Sequence, residues 1–123
     1  MKPEAGGANF RLVYNSDTSY TSTVVGRKDD DGKPPLGLLS TKALVEVAKV
    51  LLHGKEKYGA HNWRGGIAWQ RLIDASLRHI TSFNDGEDKD PESGLSHIAH
   101  AMCMLMFLLE SESTHTELDD RYK

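Results

Sequence analysis

The chain has 123 residues, enough for one hydrophobic core of three or four helices but too few for two independent cores. Its 15 basic and 18 acidic residues give a formal net charge of −3, and no basic cluster suited to a phosphate backbone is present, which argues against duplex nucleic acid as a partner. Because Cys103 is the single cysteine, no intramolecular disulfide can form, and we expect a reducing, cytoplasmic compartment.

The apolar segments are too short for membrane insertion. The N-terminal residues contain no apolar stretch of the signal-peptide type, and the longest apolar run, Ala101–Leu109, is shorter than a bilayer span. We therefore expect a soluble protein with no membrane partner.

Residues 1–32 are predicted to form an N-terminal arm or a short hairpin. They are rich in Gly, Ser, Thr and Asp, and two short β-prone runs flank the turn-like segment NSDTS. The pair Pro34-Pro35 follows, and proline disfavours helix in the residue before it. We therefore expect a helical domain over residues 33–112 and a polar C-terminal tail over residues 113–123.

The first helix is predicted over Thr41–Lys57, with Ser40 or Thr41 available to cap its free amides and Gly59 as a terminator. Apolar side chains cover more than half of its circumference, so it must be covered from two sides. The remaining lane is polar and is consistent with either a solvated face or a site. Its members are Glu46, Lys49, His53, Glu56 and Lys57.

A second helix is predicted over Ile67–Phe83, after the polar loop AHNWRGG. Asp74 and Arg78 lie on its outer face, and they are predicted to form a surface ion pair. A guanidinium at Arg78, beside His79, would also suit a phosphate. The inner face carries an apolar stripe at helical spacing: Trp69, Leu72, Ile73, Leu77, Ile80 and Phe83.

The third helix follows the acidic turn NDGEDKDPES. Asp90-Pro91 resembles a helix start, with Asp as the N-cap, although Gly94 can delay the regular helix by a turn. From Leu95 to Glu110 the sequence is apolar nearly all round, which predicts a central helix. The expected fold is an all-α bundle of three to four helices, completed as a homodimer or homotetramer because three helices cannot cover this much apolar surface.

His97 and His100 open the third helix. Histidines three apart project to the same side of a helix and can hold one ion. The nearby carboxylates of Asp90 and Glu92 are the ligands that Mg²⁺ or Mn²⁺ requires, whereas imidazoles favour Mn, Fe, Ni or Zn. The same residues are consistent with hydrogen-bonded core histidines and a solvated, Asp-capped turn. Their adjacency favours a metal site.

The segment KYGAHNWRGG offers contacts for a nucleotide. Lys57 and Arg64 can bind phosphate, Asn62 can read a base edge, and Tyr58 or Trp63 can stack on a ring. The alternative is an ordinary helix C-cap followed by an aromatic residue that anchors the loop to the core.

Other catalytic classes lack their residues. The sequence has no nucleotide-binding glycine loop of Walker or Rossmann type and no zinc-type cysteine pair, and Cys103 lacks the electropositive setting of a nucleophile. Metal-assisted attack by water remains, because it needs only carboxylate or imidazole ligands, a base, and cations for the leaving phosphate.

The stretch Lys33–Glu110 resembles the phage-type family of dATP/dGTP diphosphohydrolase N-terminal domains. The matching motifs are GKPPLGLL, GKEKYGAHNW, LRHITSF, GEDKDPESGLSHIAHA and FLLE. The resemblance implies a relative of the all-α MazG-like pyrophosphohydrolases, which hold Mg²⁺ through an E-x-x-E and an E-x-x-D pattern on adjacent helices. In place of the second pattern, this sequence has His97-Ile-Ala-His100. Three residues after Glu46, where the first pattern has its second glutamate, this sequence has Lys49.

The resemblance implies hydrolysis of dATP or dGTP to monophosphate and pyrophosphate, with a divalent metal cofactor, Mg²⁺ or Mn²⁺, in the cytoplasm of a phage-infected bacterium. The implied substrate is a deoxynucleoside triphosphate. The implied metal ligands are Asp90, Glu92, His97 and His100, and the first helix offers Glu46 as a further candidate. The implied catalytic residues are His79 and Glu92. The implied nucleotide contacts are Lys57, Tyr58, Asn62 and Trp63, and the residues themselves add Arg64 and Arg78 as candidates for phosphate.

Two other functions stay open. One is a His-rich metal phosphohydrolase with HD-type chemistry, which release of phosphate or triphosphate would support, although the sequence has no His-Asp dipeptide. The other is a non-catalytic module that binds a nucleotide or a metal, which binding without turnover would support.

Overall fold

The computed structural model describes residues 25–123, so most of the predicted N-terminal arm lies outside the described residues. The chain divides into two units, Met1–Leu38 and Leu39–Lys123. Residues 25–123 contain three α-helices, three short 3-10 helices and one isolated bridge, and they contain no strand. The all-α prediction is confirmed. No helix within this range is long and apolar enough to cross a membrane.

Helix α1 spans Thr41–Tyr58, one residue beyond the predicted end. The Ser40 hydroxyl accepts a hydrogen bond from the Ala43 amide at 3.1 Å, as the capping prediction required. Gly59, with φ +90, ends the helix and donates its amide to the Lys55 carbonyl. Residues next to the helix therefore determine both of its ends.

Helix α2 spans Trp69–Asn84 and begins two residues later than predicted. Its N-cap, Ala68, has no side chain that can accept a hydrogen bond; instead the Gln70 amide donates to the Asp120 carboxylate at 2.9 Å. The described residues contain no Asp74–Arg78 ion pair, and Asp74 accepts from the Gln70 side chain at 2.8 Å. The start of α2 thus depends on a distant part of the chain.

Helix α3 spans His97–Thr114. Gly94 has φ +73, and Ser96 is the N-cap, with its hydroxyl accepting from the Ile98 amide at 3.1 Å. The prediction that Asp90 caps this helix is therefore wrong, whereas the delay attributed to Gly94 is confirmed. A 3-10 helix, Thr116–Leu118, follows α3.

Helix α3 is central, as its apolar sequence predicted, because α1 and α2 both pack against it. The thiol of Cys103 is only 1% exposed, and burial raises its pKa to about 11. The antiparallel packing of α2 on α3 brings the second half of α2 beside the first turn of α3, where the histidines lie. The core residues are Val47, Val50, Leu72, Ala99, Cys103 and Phe107.

The C-terminal segment is attached to the start of α2. The indole N–H of Trp69 donates to the His115 carbonyl at 3.1 Å. The His115 ring contacts two acceptors, the Arg64 carbonyl at 3.0 Å and the Glu117 carboxylate at 3.1 Å, and these raise its pKa. Gly66, with φ +103, permits this approach, since a Cβ there would lie 3.2 Å from the His115 ring.

Candidate active site

Three histidines meet where α2 packs on the start of α3. His79 Nδ1 lies 2.8 Å from His97 Nδ1, and the His79 ring stacks on the His100 ring with centroids 4.6 Å apart and an interplanar angle of 8°. His97 and His100 are buried, at 4% and 8% exposure. The helical spacing predicted that His97 and His100 would lie on the same side of the helix. The contact between α2 and α3 adds His79.

Hydrogen bonds determine which nitrogen of each ring carries a proton. Glu87 Oε1 lies 2.7 Å from His97 Nε2, and a carboxylate can only accept, so His97 Nε2 carries the proton. In the tautomer in which His97 Nδ1 has a lone pair, the donor in that bond is His79 Nδ1–H. His79 Nε2 is left with a lone pair.

A tight turn holds Asp90 beside these rings. Asp90 Oδ1 accepts from the Glu92 amide at 2.9 Å, and the Asp90 carbonyl accepts from the Gly94 amide at 2.7 Å. This is the hydrogen-bonding pattern of an Asx turn followed by a residue of positive φ. The turn leaves Asp90 Oδ2 3.7 Å from His100 Nε2.

Ser93, in the same turn, contacts His100. Its hydroxyl lies 2.7 Å from His100 Nε2 and accepts from the Leu95 amide at 3.1 Å. Because that amide occupies an acceptor position, the hydroxyl proton is available to His100. With His100 protonated at Nδ1, its Nε2 lone pair accepts this proton.

His79, Asp90 and His100 form a group with the composition of a metal site. One ligand atom from each lies within 4.8 Å of the others. Two imidazoles and a carboxylate occur together in known zinc and iron sites, with further coordination positions left for water or substrate. The residues present thus fit a divalent cation.

Burial controls the charge of the two histidines in this group. Removal from water lowers the pKa of His79, and the neighbouring His100 lowers it further, against the opposite effect of Asp90. Burial likewise lowers the pKa of His100, with Asp90 again opposing. Both imidazoles are therefore neutral at neutral pH, which is the form that binds a metal.

Lys57, at the end of α1, reaches the turn that carries Asp90. Its ammonium lies 3.0 Å from Glu92 Oε2, and this bond raises the pKa of Lys57. Tyr58, beside it, is 62% exposed, and the Lys57 ammonium lies 5.0 Å from the centre of its ring. A cation and an exposed aromatic ring thus adjoin the acidic turn.

Comparison with known proteins identifies the chain. The family described as dATP/dGTP diphosphohydrolase, N-terminal, matches residues 23–121. The chain belongs to this family. A relative from Salmonella phage PMBT28, named dATP/dGTP diphosphohydrolase, is 42% identical over 98 residues, which are 80% of this chain and 33% of the relative. The chain thus spans about a third of that relative's length, and no solved structure matches it.

In this member of the diphosphohydrolase N-terminal family, the predicted site residues separate into two sets. Asp90, His79 and His100 lie together, and His97 contacts His79. Glu92 forms an ion pair with Lys57 instead of joining the histidines. Glu46 forms one with Lys49 at 3.0 Å, on the exposed lane of α1.

The predicted aromatic contact Trp63 is covered on both faces. Its ring stacks on Phe107 with centroids 4.6 Å apart and an interplanar angle of 12°, and the Arg64 guanidinium lies 4.5 Å above the ring. Arg64 also donates to His61 at 3.0 Å. The anchoring interpretation of this aromatic therefore agrees with its contacts, and Tyr58 is the more accessible ring.

Sequence reasoning missed two members of the site, Glu87 and Ser93. Each contacts a histidine of α3 across a turn, and their positions relative to the helix follow no helical or strand period. His53, in the lane that the sequence leaves open between a solvated face and a site, is half-buried, and its charge lowers the pKa of His100. Its position on the lane that ends at Lys57 was the available signal.

Proposed function

We propose that this chain is a hydrolytic module for deoxynucleoside triphosphates, dATP and dGTP foremost, that releases a monophosphate and pyrophosphate. The observation that carries the proposal is the His79–Asp90–His100 group beside Lys57, in a family whose description names this activity. The name of the Salmonella phage relative supports the same substrates.

The residues of the group would hold a divalent cation, and such an ion lowers the pKa of a bound water and stabilises charge on a phosphate. Lys57 contacts the phosphate chain of the substrate, and Tyr58 stacks on the base, since both are exposed beside the turn. Arg78 precedes His79 on α2 and adds positive charge at the same edge.

Glu92 is the general base in this proposal. When a phosphate of the substrate replaces Glu92 beside Lys57, the Glu92 carboxylate becomes available to accept a proton from water. The water oxygen bonds to the α-phosphorus, the bond from that phosphorus to the bridging oxygen breaks, and pyrophosphate leaves. His79, which also suits a catalytic role, is assigned to the metal because it lies within the three-residue group.

Self-association is part of the proposal. Apolar side chains lie exposed along α3 at the alternating spacing of a coiled-coil seam: Ile98, Met102, Leu105 and Leu109, at 37%, 40%, 45% and 68% exposure. Leu77 and Ile80 extend the exposed apolar surface on α2, at 55% and 42% exposure. A second copy that packs the same two helices would complete a four-helix bundle.

Sedimentation tests the self-association. The chain should sediment as a dimer or tetramer at micromolar concentration, and Leu105→Glu should convert it to a monomer without loss of helix content. A wild-type chain that sediments as a monomer would contradict this part of the proposal.

The activity is tested by a turnover panel of the four deoxynucleoside triphosphates with Mg²⁺, Mn²⁺ or Co²⁺, in water enriched in ¹⁸O. Attack at the α-phosphorus places the label in the monophosphate, and attack at the β-phosphorus places it in pyrophosphate. We expect dATP and dGTP to be cleaved fastest, with label in the monophosphate. Release of inorganic phosphate or triphosphate would instead support HD-type chemistry.

Three variants locate the activity. The His97→Ala/His100→Ala double variant should be inactive, and Glu92→Gln should lower kcat by about 10²- to 10⁴-fold, the usual contribution of a general base. His115→Gln changes a histidine outside the site and should retain activity. Circular dichroism verifies that each variant is folded. Nucleotide binding without turnover under every metal would contradict the enzyme and indicate a binding module.

A further inference from the structure

We infer that His79, Asp90 and His100 form a binding site for a first-row transition ion, of the Mn²⁺, Fe²⁺, Co²⁺ or Zn²⁺ class, in preference to Mg²⁺. The inference rests on the proposed function for its catalytic meaning and deepens it by naming the ligands and the class of metal. It assigns a different role to each of the two histidines that open α3.

The first support is that one ligand atom from each of the three residues lies within 4.8 Å of the others. His79 Nε2 and Asp90 Oδ2 accept no hydrogen bond within residues 25–123, and Asp90 Oδ2 lies 3.7 Å from His100 Nε2, too far for a hydrogen bond. His100 Nε2 contacts the Ser93 hydroxyl at 2.7 Å, and a cation bound by this nitrogen would take the place of that contact.

The second support is the composition of the group. Two of its three donors are imidazole nitrogens, which suit Mn, Fe, Co, Ni and Zn. Mg²⁺ prefers oxygen ligands in near-octahedral geometry and retains several waters. A group with a single carboxylate supplies few of the oxygen ligands that Mg²⁺ prefers, whereas the same group matches the two-histidine, one-carboxylate sites of zinc and iron enzymes.

The third support is the chain of hydrogen bonds behind His79. Glu87 accepts from His97 Nε2, and His97 Nδ1 accepts from His79 Nδ1, at 2.7 Å and 2.8 Å. A metal-binding histidine commonly donates its second N–H in this manner, which fixes the ring and increases its basicity. His97 therefore acts as a positioning residue, because its two nitrogens contact His79 and Glu87 and it lies outside the three-residue group.

This assignment divides the predicted ligand set. His100 and Asp90 bind the metal, and His97 orients His79. Glu92 remains with Lys57 on the substrate side, since their ion pair of 3.0 Å lies outside the three-residue group.

The test is metal binding measured without any nucleotide, on the tag-free full chain. Calorimetry with Mn²⁺, Co²⁺, Zn²⁺ and Mg²⁺ should give one transition ion per chain, bound at least about 10-fold more tightly than Mg²⁺. Co²⁺ should also produce visible ligand-field absorption. His100→Ala and Asp90→Asn should abolish that absorption, whereas His115→Gln, a matched histidine outside the group, should leave it unchanged.

Glu87→Ala tests the positioning chain. The Glu87 side chain is 53% exposed, so this variant should fold, and loss of its hydrogen bond to His97 should weaken transition-ion binding by about 10- to 100-fold. Nitrogen-15 NMR of the metal-free chain should find His79 protonated at Nδ1. If Glu87→Ala binds as tightly as wild type, or if His79 is protonated at Nε2, the positioning role is wrong.

The outcomes separate the two proposals. Transition-ion binding that requires Asp90 and His100, with no hydrolysis, would support the metal site and contradict the enzyme. Hydrolysis with Mg²⁺ that His100→Ala leaves intact would support the enzyme and overturn the metal site. Equal affinity for Mg²⁺ and Zn²⁺ would also overturn the inference.

Discussion

Replacement of Trp63 by alanine distinguishes an aromatic that binds the nucleotide from one that anchors the loop. A fully buried Trp→Ala change costs about 3–5 kcal/mol, and Trp63 is half-buried, so roughly half of that cost applies here. Its stacking on Phe107, at 4.6 Å and 12°, adds about 0.5–1.5 kcal/mol, and the Arg64 guanidinium above the ring adds about 0.5–1 kcal/mol. We therefore expect Trp63→Ala to lower the free energy of unfolding by roughly 3 kcal/mol.

The assay is urea denaturation followed by far-UV circular dichroism, because Trp69 would complicate a fluorescence signal. Tyr58→Ala is the matched control: its ring is 62% exposed, so its stability should change by less than about 0.5 kcal/mol. Nucleotide affinity should show the reverse pattern, weakened by Tyr58→Ala and retained by the folded fraction of Trp63→Ala. The reasoning fails if Trp63→Ala costs less than about 1 kcal/mol and abolishes nucleotide binding.

Three further predictions concern stability and reactivity. His115 has a raised pKa because it lies between a backbone carbonyl and Glu117, so its contribution to stability is complete below its ordinary pKa of 6.5 and is lost as the pH rises through the raised value. The difference in melting temperature between wild type and His115→Gln should therefore shrink from about pH 5.5 to about pH 8.5; a constant difference would contradict this. Asp120→Ala removes the acceptor for the Gln70 amide and should cost about 1 kcal/mol in urea denaturation, whereas Asp120→Asn should cost less; equal losses would show that the cap is not the cause. The Cys103 thiol, 1% exposed and with a pKa of about 11, should react with a thiol reagent only as the chain unfolds, and rapid labelling of the native chain would show that the core opens there.

Local residues were sufficient to predict much of the fold. Ser40 and Gly59 specify the two ends of α1 because a hydroxyl cap and a residue of positive φ act on the backbone next to them. The start of α2 was predicted two residues early, since the acceptor for its Gln70 amide is Asp120. The start of α3 was misassigned to Asp90, whose side chain caps a turn instead.

Helical periodicity was sufficient to predict the all-α class, the central place of α3 and the common side of His97 and His100, because it specifies which side chains share a face. Only the tertiary packing decides which partner each histidine nitrogen contacts. That decision depends on the contact of His79 with His97 across two helices and on Glu87 beyond it. A proton's position on an imidazole is set by the partner of its other nitrogen, and no spacing along a chain specifies that partner.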